Sequence, residues 1–432
     1  MTAAAQEQRK HMKLNRFRRL TMALAASVAV GLGMTACGGG TIGFLWVPGT
    51  QYNQIAGFKI DNFTGNLTAV PHSPFQSSGT NPQMIVVKPG GRYLYVINVG
   101  ATNAQGQLSG QNIAEFSVGG DGILTFQQSF TSQGQTPVWA ANDSSGNFLY
   151  VLDSLAPAGT TYAAQGLGAI TVFAIDPNTG RLSLVTNNQI KNPANPGVNL
   201  NYFPVGRRPT MIKTGGGGCL YTLDSATNSI FPYTENTSTG QLTQTTNSEI
   251  FTNAGRLTSI NAGGSYVFLT DAAPVVQNGT VVSPGGQILP YTPGANCALN
   301  SLTGGPVNNL PLTSNPVWSL TDNRGRYLYV LNQLTTNSNN TASTISAFSI
   351  ESTTGKLQQV PDSNNPYPTG SGPVCMVEDP TNQYVYTSNS VDGTITGKII
   401  NQNTGQLSDL ARVSKFTATG VATCLAVSGN VY

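Results

Sequence analysis

The chain has 432 residues, of which only 9% are charged, and it is rich in glycine with 49 residues. Aliphatic and aromatic residues recur along its whole length, which excludes a disordered protein. Six of the 21 basic residues and one of the 18 acidic residues lie in the first 36 positions, so the rest of the chain carries 15 basic against 17 acidic residues. That balance leaves no basic surface for a nucleic-acid partner.

Residues 1–36 have the layout of a secretory signal. A basic segment at 12–20 precedes an apolar segment at 21–34, which is too short for a convincing transmembrane helix. Small residues then lead to Cys37 and three glycines, and this resembles a bacterial lipobox, whose cysteine becomes the lipidated first residue of the mature chain. We therefore expect a signal peptide over 1–36, a lipidated cysteine and glycine-rich tether over 37–43, and export to the bacterial cell envelope, facing the periplasm or in the outer membrane. The alternative is an ordinary signal peptide with an incidental cysteine.

One motif recurs along the remainder of the chain and defines its organisation. It has a turn signal, then alternating aromatic and aliphatic residues, then Asn or Asp, as in GRYLYVLN at 325–332. Further copies stand at 91–98, 146–153, 218–224, 265–271 and 382–389. The pattern predicts a β-strand that follows a tight turn and ends in an Asx-type turn.

Two landmarks accompany each copy of the motif. An apolar strand comes before it, with strands that begin near Pro82, Pro137, Pro209, Leu257, Pro316 and Pro373. After the motif come a third strand, a turn of the TGxL type and a fourth strand. These turns stand at 64–67, 121–124, 179–182, 239–242, 354–357 and 404–407. Their glycine supplies the positive φ that such a hairpin turn demands.

Four short antiparallel strands at a spacing of about 50–70 residues predict the blade of a β-propeller. Six such units are complete, whereas residues 44–70 lack a first strand and residues 421–427 form a first strand without partners. Joined, the two ends make a seventh blade. We therefore predict an all-β, seven-bladed propeller over residues 44–432, with four antiparallel strands per blade and a ring closed by both chain ends.

The strand before the motif, the GRYLYV(I/L)N block and the TGxL turn resemble the lactonase-type seven-bladed propellers, which include 6-phosphogluconolactonase and a muconate-cyclising enzyme, and the related YVTN-repeat propellers. The resemblance covers essentially residues 44–432. It implies the propeller fold and, as an activity, the hydrolysis of sugar-acid lactones. Enzymes of the family use a histidine with acidic and arginine partners near the central opening. Here the histidines are His11, in the signal, and His72, in a blade-exit loop, so that constellation cannot be carried over.

Polar residues at the ends of the repeated motifs should form a ring on one face of the propeller. They either make a mouth that holds a cation or a hydroxylated ligand, or accept backbone N–H bonds that close their own turns. Three arginines precede first strands and should reach the same face, either as an anion site or as solvated charges. The ring consists of Asn98, Asp153, Asp224, Asp271, Asn332 and Asn389, and the arginines are Arg207, Arg208 and Arg256.

Lactone hydrolysis without a metal needs a general base and a group that stabilises the oxyanion. Glu115, Glu235 and Glu378 are candidate bases, but nothing in the sequence selects one, so the catalytic residues stay unknown at this level. The sequence has no zinc or haem spacing and no phosphate-binding glycine loop. We therefore predict no metal and no cofactor.

Four cysteines remain after Cys37. Cys375 and Cys424 occupy matching places in first strands of neighbouring blades, while Cys219 begins a second strand and Cys297 lies near a turn of the next blade. An exported protein can form disulfides in both pairs. For Cys375 and Cys424 we expect buried free thiols, and for Cys219 and Cys297 both states stay open.

The predicted function is a non-catalytic binding or scaffold module that holds a glycan, a peptide or a protein on a propeller face. Polar insertions at 101–111, 156–168, 189–202 and 333–341 are either sites of binding specificity or unselected variation in loop length. We expect a monomer that contacts the membrane only through its lipid and does not bind nucleic acid. Lactone hydrolysis is the alternative function.

Overall fold

The structure, a computed structural model, describes residues 40–244, 249–308, 310, 314–333 and 343–429. The predicted signal peptide, Cys37 and most of the insertion at 333–341 lie outside these residues. Within these ranges no helix is both long and apolar enough to cross a membrane. The described chain forms a seven-bladed β-propeller with blades of about four antiparallel strands, which confirms the predicted fold.

The strands of each blade follow one another from the central channel outwards. We number as blade 1 the blade that both chain ends share, and blades 2 to 7 follow in chain order. The innermost strands of blades 1 to 7 are Ala426–Gly429, Pro82–Val87, Gln135–Asn142, Pro209–Gly215, Leu257–Asn261, Pro316–Thr321 and Pro373–Glu378. The second strands are Thr41–Gly49, Tyr93–Asn98, Phe148–Leu155, Cys219–Asp224, Val267–Asp271, Tyr327–Asn332 and Tyr384–Asn389.

The third strand of each blade is largely buried, whereas the fourth strand is mostly exposed and, except in blade 2, only three residues long. The third strands are Gln54–Asp61, Asn112–Val118, Leu167–Ile175, Ser229–Glu235, Gln287–Pro293, Thr344–Ile350 and Thr394–Ile400. The fourth strands are Leu67–Ala69, Leu124–Phe130, Leu182–Leu184, Leu242–Gln244, Leu299–Ser301, Leu357–Gln359 and Leu407–Asp409. Five blades add a short strand beside the third: Phe75–Gln76, Phe203–Arg207, Ile250–Phe251, Tyr367–Pro368 and Lys415–Thr417.

The predicted insertions carry small elements of their own. Hairpins pair Ala101–Thr102 with Leu108–Ser109 and Lys191–Asn192 with Asn195–Asn199. A third hairpin, Val275–Gln277 with Thr280–Ser283, lies in a loop of blade 5 outside the predicted insertions. A single helical turn, Thr161–Ala164, begins at the N-cap Thr160, and 3₁₀ turns span Gly216–Gly218 and Ala295–Cys297.

The two chain ends close the ring in blade 1, as the sequence predicts. Leu45 pairs with Val427 and Trp46 with Ala426 in an antiparallel ladder. The predicted bounds need correction, because the innermost strand is Ala426–Gly429 and not residues 421–427. The preceding segment instead bridges to blade 2, where the Cys424 N–H donates to the Gln83 carbonyl over 3.1 Å. At the other end the second strand begins at Thr41, inside the range assigned to the tether.

The repeated motif and the TGxL turn meet at the junctions between blades. The Tyr327 ring of blade 6 covers Gly405 in the turn of blade 7, where an added Cβ would lie 2.3 Å from a Tyr327 ring carbon. Gly405 also has a φ of 74°, which disfavours any residue with a side chain. Both the backbone conformation and the contact with Tyr327 therefore require glycine at this position. The same contact joins Phe44 to Gly122, Tyr93 to Gly180, Phe148 to Gly240, Tyr266 to Gly355, and Tyr384 to Gly65.

A second tyrosine strengthens three of these junctions with a hydrogen bond. The buried hydroxyls of Tyr95, Tyr329 and Tyr386 donate to the carbonyls of Gly180, Gly405 and Gly65 over 2.6, 3.1 and 2.6 Å respectively. Each hydroxyl therefore satisfies a carbonyl in the turn of the next blade, which ties the motif to the turn across the ring.

A disulfide replaces the aromatic–glycine contact at the junction of blades 4 and 5. Cys219 stands where the other second strands have Tyr327 or its equivalents, and Cys297 stands two residues before Leu299, in the place of the turn glycine. Cys297 keeps the left-handed backbone of that glycine, with a φ of 63°. The two cysteines are bonded, with 5.4 Å between their Cα atoms.

The second cysteine pair joins blades 7 and 1 beside the central channel. Cys375 and Cys424 form a disulfide with 5.0 Å between their Cα atoms. The expectation of buried free thiols here is wrong in this structure, because the chain that bridges from blade 1 to blade 2 passes close to the innermost strand of blade 7. The seam of the ring is therefore covalently closed.

Candidate functional site

Five of the six polar residues of the predicted ring end their second strands on one face, and Asp153 lies two residues before the end of its own. All six side chains are buried, with at most 1% exposed. Asp153 accepts bonds from Ser132 Oγ over 2.6 Å and from the Gly134 N–H over 3.3 Å, and burial raises its pKa to about 7. Asp271 accepts from the Arg256 N–H over 2.8 Å and from Gln287 Nε2 over 2.9 Å. These bonds close local turns and leave the carboxylates below the surface of the face.

The amide members of the ring are engaged in the same way. Asn98 donates to Asn112 Oδ1 over 2.8 Å, Asn332 donates to Ser346 Oγ over 2.9 Å, and Asn389 donates to Thr396 Oγ1 over 3.0 Å. Asp224 accepts the Ala226 N–H over 2.8 Å. The ring therefore supports the loops of the face from beneath.

The three predicted arginines are exposed on this face, and the structure separates them by environment. Arg256 donates through Nη2 to Asn315 Oδ1 over 2.6 Å and to the Ala272 carbonyl over 3.2 Å, which ties it to the neighbouring blade. Arg207 ends the short strand Phe203–Arg207. Arg208 lines a cavity, and it alone of the three enters one of the cavities described below.

This cavity, which we call the basin, lies at the mouth of the propeller between blades 2, 3 and 4 and has a volume of about 600 Å³. Its apolar lining includes Val138, Trp139 and Leu155, and its polar lining includes Ser225. Arg208 has a left-handed backbone with a φ of 51°, and its carbonyl accepts the Ser225 hydroxyl over 2.9 Å. A non-glycine residue held in this region carries strain that the surrounding structure must maintain.

Two tryptophans form the boundary between the basin and the central channel. Trp139 and Trp318 come from blades 3 and 6, and their ring centroids are 5.7 Å apart at an interplanar angle of 39°. The Trp318 ring is fixed by a 3.0 Å bond from its Nε1 to the Met376 carbonyl. Trp139 lines both cavities, so the pair packs across the axis between them.

The central channel, with a volume of about 470 Å³, runs from the tryptophans towards the opposite face and is lined by the innermost segments of all seven blades. Its walls carry two ionisable side chains within the described chain, Lys213 from blade 4 and Glu378 from blade 7. Burial lowers the pKa of Lys213, whose Nζ lies 5.2 Å from the centroid of the Trp318 ring. The lysine therefore packs against an aromatic wall.

Glu378 is the candidate base that lines the channel. It is 6% exposed, accepts the Asn323 N–H over 2.7 Å and is bonded by Asn382 Nδ2. Burial raises its pKa to about 8. Glu115 and Glu235 lie on third strands away from the channel, and burial raises the pKa of each.

A third cavity lies between blades 7 and 1 on the same face as the basin, with a volume of about 660 Å³. It is lined by Tyr52, Val391 and Asp392 among others, and Asp392 is paired with Lys415 over 2.8 Å. His72 is exposed, has a φ of 65° and lines none of the three cavities. Among the described residues, no three His, Cys, Asp or Glu side chains are grouped to hold a metal.

Sequence reasoning did not single out Trp139, Trp318 or Lys213. The sequence nevertheless contains an indication of them. In each innermost strand with a proline at or near its start, the second residue after the proline occupies the same place in its blade, and so does the fourth. The second residue after the proline is tryptophan in blades 3 and 6. The fourth is Lys213 in blade 4 and an apolar residue in the other strands of this kind. What the sequence did not contain was the opposition of blades 3 and 6 across the axis.

The sequence matches the family described as "Lactonase, 7-bladed beta-propeller" over residues 44–198 and 304–424. No curated protein matches the chain. Similar solved structures include a putative 6-phosphogluconolactonase from Bacteroides fragilis, with 17% identity, a TM-score of 0.63, and coverage of 91% of this chain and 99% of that one. The periplasmic gluconolactonase of Pseudomonas aeruginosa has 14% identity, a TM-score of 0.65, and coverage of 90% and 100%.

At these identities the structural likeness shows the fold alone. The family match extends over more than half of the chain and includes blades near both ends of the sequence. The chain belongs to the lactonase family of seven-bladed β-propellers.

Proposed function

We propose that the protein is a non-catalytic binding propeller that holds an anionic ligand in the basin. The observation that carries the proposal is the position of Arg208 beside the apolar wall of Trp139, in a cavity whose lining includes no carboxylate or histidine within the described chain. A guanidinium group suits a carboxylate or a phosphate, and an apolar wall suits the body of a small ligand. The basin thus offers groups for binding and none for proton transfer.

The charges around the basin favour an anion. Arg207 is the sequence neighbour of Arg208 and is exposed on the same face. The nearest acids of the polar ring, Asp153 and Asp224, are buried, and burial raises the pKa of both carboxyls. Carboxyls that ionise less readily below the surface weaken the field of the arginines less than exposed carboxylates would.

Binding of 2-naphthoate, followed by tryptophan fluorescence and calorimetry, tests this proposal. We expect binding to the wild type, and Arg208→Gln should weaken it about tenfold or more because a charge-assisted bond is lost. Arg256→Gln is the matched control, since that arginine shares the face but is bonded to Asn315. Equal affinity for the uncharged 2-naphthalenemethanol, or an unchanged affinity in Arg208→Gln, would contradict the proposal.

Lactone hydrolysis in the central channel is the second candidate function, and two observations favour it. The chain belongs to the lactonase family, and Glu378 is a buried channel carboxyl whose pKa is raised to about 8. An ionised Glu378 would take a proton from the attacking water, and Lys213 would stabilise the oxyanion. Both oxygens of Glu378 already accept bonds from Asn323 and Asn382, which favours a role in joining blades 6 and 7.

Turnover of a panel of γ- and δ-lactones separates the two candidates. If the channel is catalytic, hydrolysis should rise as the pH rises through about 8, because Glu378 must lose its proton to act as a base. Glu378→Gln should then abolish turnover while leaving 2-naphthoate binding intact. Absence of turnover across the panel would reject the hydrolase candidate, and turnover that Glu378→Gln does not change would reject its proposed base.

We also propose that the protein is exported and anchored through a lipid on Cys37. The two disulfides support an oxidising compartment, since such bonds rarely persist in the cytosol. Incorporation of labelled palmitate into the expressed full chain should occur and should disappear in Cys37→Ser. Label that persists in Cys37→Ser would contradict lipidation at this cysteine.

A further inference from the structure

The chain enters the propeller on the face opposite the basin. The second strands end on the basin face, so they begin on the other face, which we call the entry face. Thr41 begins the second strand of blade 1 and pairs there with Asp61. Cys37 precedes Thr41 by four residues, and four extended residues span at most about 14 Å. A lipid on Cys37 therefore holds this edge of blade 1 close to a membrane surface.

A large apolar side chain, Phe63, lies at the same edge. It is 77% exposed and belongs to the TGxL turn that joins the third and fourth strands of blade 1 on the entry face. The Phe63 N–H donates to Asp61 Oδ1 over 3.1 Å, and the Gly65 N–H donates to the Asp61 carbonyl over 2.9 Å. These bonds fix the turn, which presents the aromatic ring to solvent beside the first strand residue.

The other TGxL turns indicate that the fold does not need an aromatic residue at this position. Each of the five holds a small or polar residue two places before its turn glycine, and these residues are Gly120, Asn178, Ser238, Thr353 and Asn403. Strand pairing and packing between blades therefore do not explain Phe63. Among the six turns, the large apolar residue occurs in the blade that receives the chain from Cys37.

Val413 extends the apolar surface around Phe63. It is 52% exposed and lies in the loop that follows the fourth strand of blade 7. The Val413 N–H donates to Asn66 Oδ1 over 3.4 Å, which places this loop beside the turn of Phe63. The preceding residue, Arg412, is also exposed. Apolar side chains next to a guanidinium group suit the boundary between the acyl chains and the phosphates of a lipid bilayer.

We propose that Phe63 and Val413 insert into the interfacial region of the membrane that carries the Cys37 lipid. The inference rests on the proposed lipid anchor and goes beyond it, because a lipid alone leaves the domain free to rotate, whereas a second contact fixes its orientation. The sequence predicts the lipid as the sole membrane contact, and this proposal adds protein side chains to it. The entry face then faces the bilayer, and the basin opens towards the solution, from which a soluble anionic ligand reaches Arg208.

Tryptophan fluorescence of the lipidated full chain in phosphatidylcholine vesicles tests this contact. The three native tryptophans are buried, so Phe63→Trp adds an exposed one, and the wild-type signal is subtracted. Tyr52→Trp is the matched control, because Tyr52 is 57% exposed in the same blade but follows the second strand, on the basin face. Lipids brominated near the head-group end of their acyl chains should quench the added tryptophan of Phe63→Trp and leave that of Tyr52→Trp unchanged.

The outcomes separate the membrane contact from the anchor. If labelled palmitate is incorporated but Phe63→Trp is not quenched, the contact is overturned and the anchor stands. If palmitate is not incorporated, both proposals fail. Equal quenching of Tyr52→Trp would overturn the proposed orientation. Thermal melting checks that the variants fold, and if Phe63→Trp does not fold, quenching of Val413→Trp decides the matter.

Discussion

Tyr386 provides a quantitative test of how the ring is held closed. Its fully buried hydroxyl donates a 2.6 Å bond to the Gly65 carbonyl, which joins blade 7 to blade 1. Tyr386→Phe keeps the ring but removes the donor, and the carbonyl then loses this partner. Loss of such a bond costs about 1–3 kcal/mol when the remaining group stays buried. We expect a lower urea midpoint with an unchanged slope, measured on the domain that begins after Cys37.

Tyr221 is the matched control for this experiment. It occupies the corresponding place in blade 4 and is equally buried, but within the described chain its hydroxyl has no hydrogen-bond partner. Tyr221→Phe should therefore leave the free energy of unfolding within about 0.5 kcal/mol of the wild type, or raise it slightly. If both substitutions cost the same, the hydroxyl bond does not stabilise the junction and the reasoning is refuted.

Three further predictions concern the same framework. Gly405→Ala should destabilise the protein by about 2 kcal/mol or more, because alanine disfavours a φ of 74° and its Cβ would meet the Tyr327 ring; an unchanged urea midpoint would contradict this. Cys297→Gly removes the Cys219–Cys297 disulfide, which spans 78 residues, and should lower the free energy of unfolding by about 4 kcal/mol relative to the wild type, measured by urea unfolding; an unchanged free energy would contradict this. Burial raises the pKa of Glu378 from 4.5 to about 8, so the folded protein binds its proton more tightly than the unfolded chain and stability should fall as the pH rises between these values. Glu378→Gln should weaken the pH dependence of the urea midpoint between about pH 5 and about pH 8, and part of that dependence should remain because burial also raises the pKa of Asp153 to about 7. An identical pH dependence in the variant would argue against the raised pKa of Glu378.

The sequence predicts the framework well because the framework repeats. Alternation in GRYLYVLN indicates a buried strand, and the TGxL glycine indicates a left-handed turn, so blade number and ring closure follow from local signals. The pairing of Tyr327 with Gly405 is visible only in three dimensions, since it joins residues of different blades. The innermost strand of blade 1 begins later than the sequence predicts, at Ala426 and not at residue 421. The sequence does not show that the Cys424 N–H bonds to blade 2.

The candidate sites were harder to predict because they depend on contacts across the axis. Asp153 and its equivalents have the composition of a polar mouth, yet their orientation depends on whether local N–H groups donate hydrogen bonds to them. Here such bonds hold the side chains in buried positions. Trp139 and Trp318 meet only because blades 3 and 6 face each other. Lys213 stands out only after the strands are aligned by blade, and only the folded channel shows that none of the ion pairs among the described residues includes it.

A structure of the domain soaked with 2-naphthoate tests the central claim, that this propeller binds an anionic ligand in the basin, most directly. We predict density for the carboxylate against the Arg208 guanidinium, with the naphthalene ring on the Trp139 side of the cavity. A ligand bound elsewhere while the basin holds none, or a carboxylate directed away from Arg208, would contradict the claim.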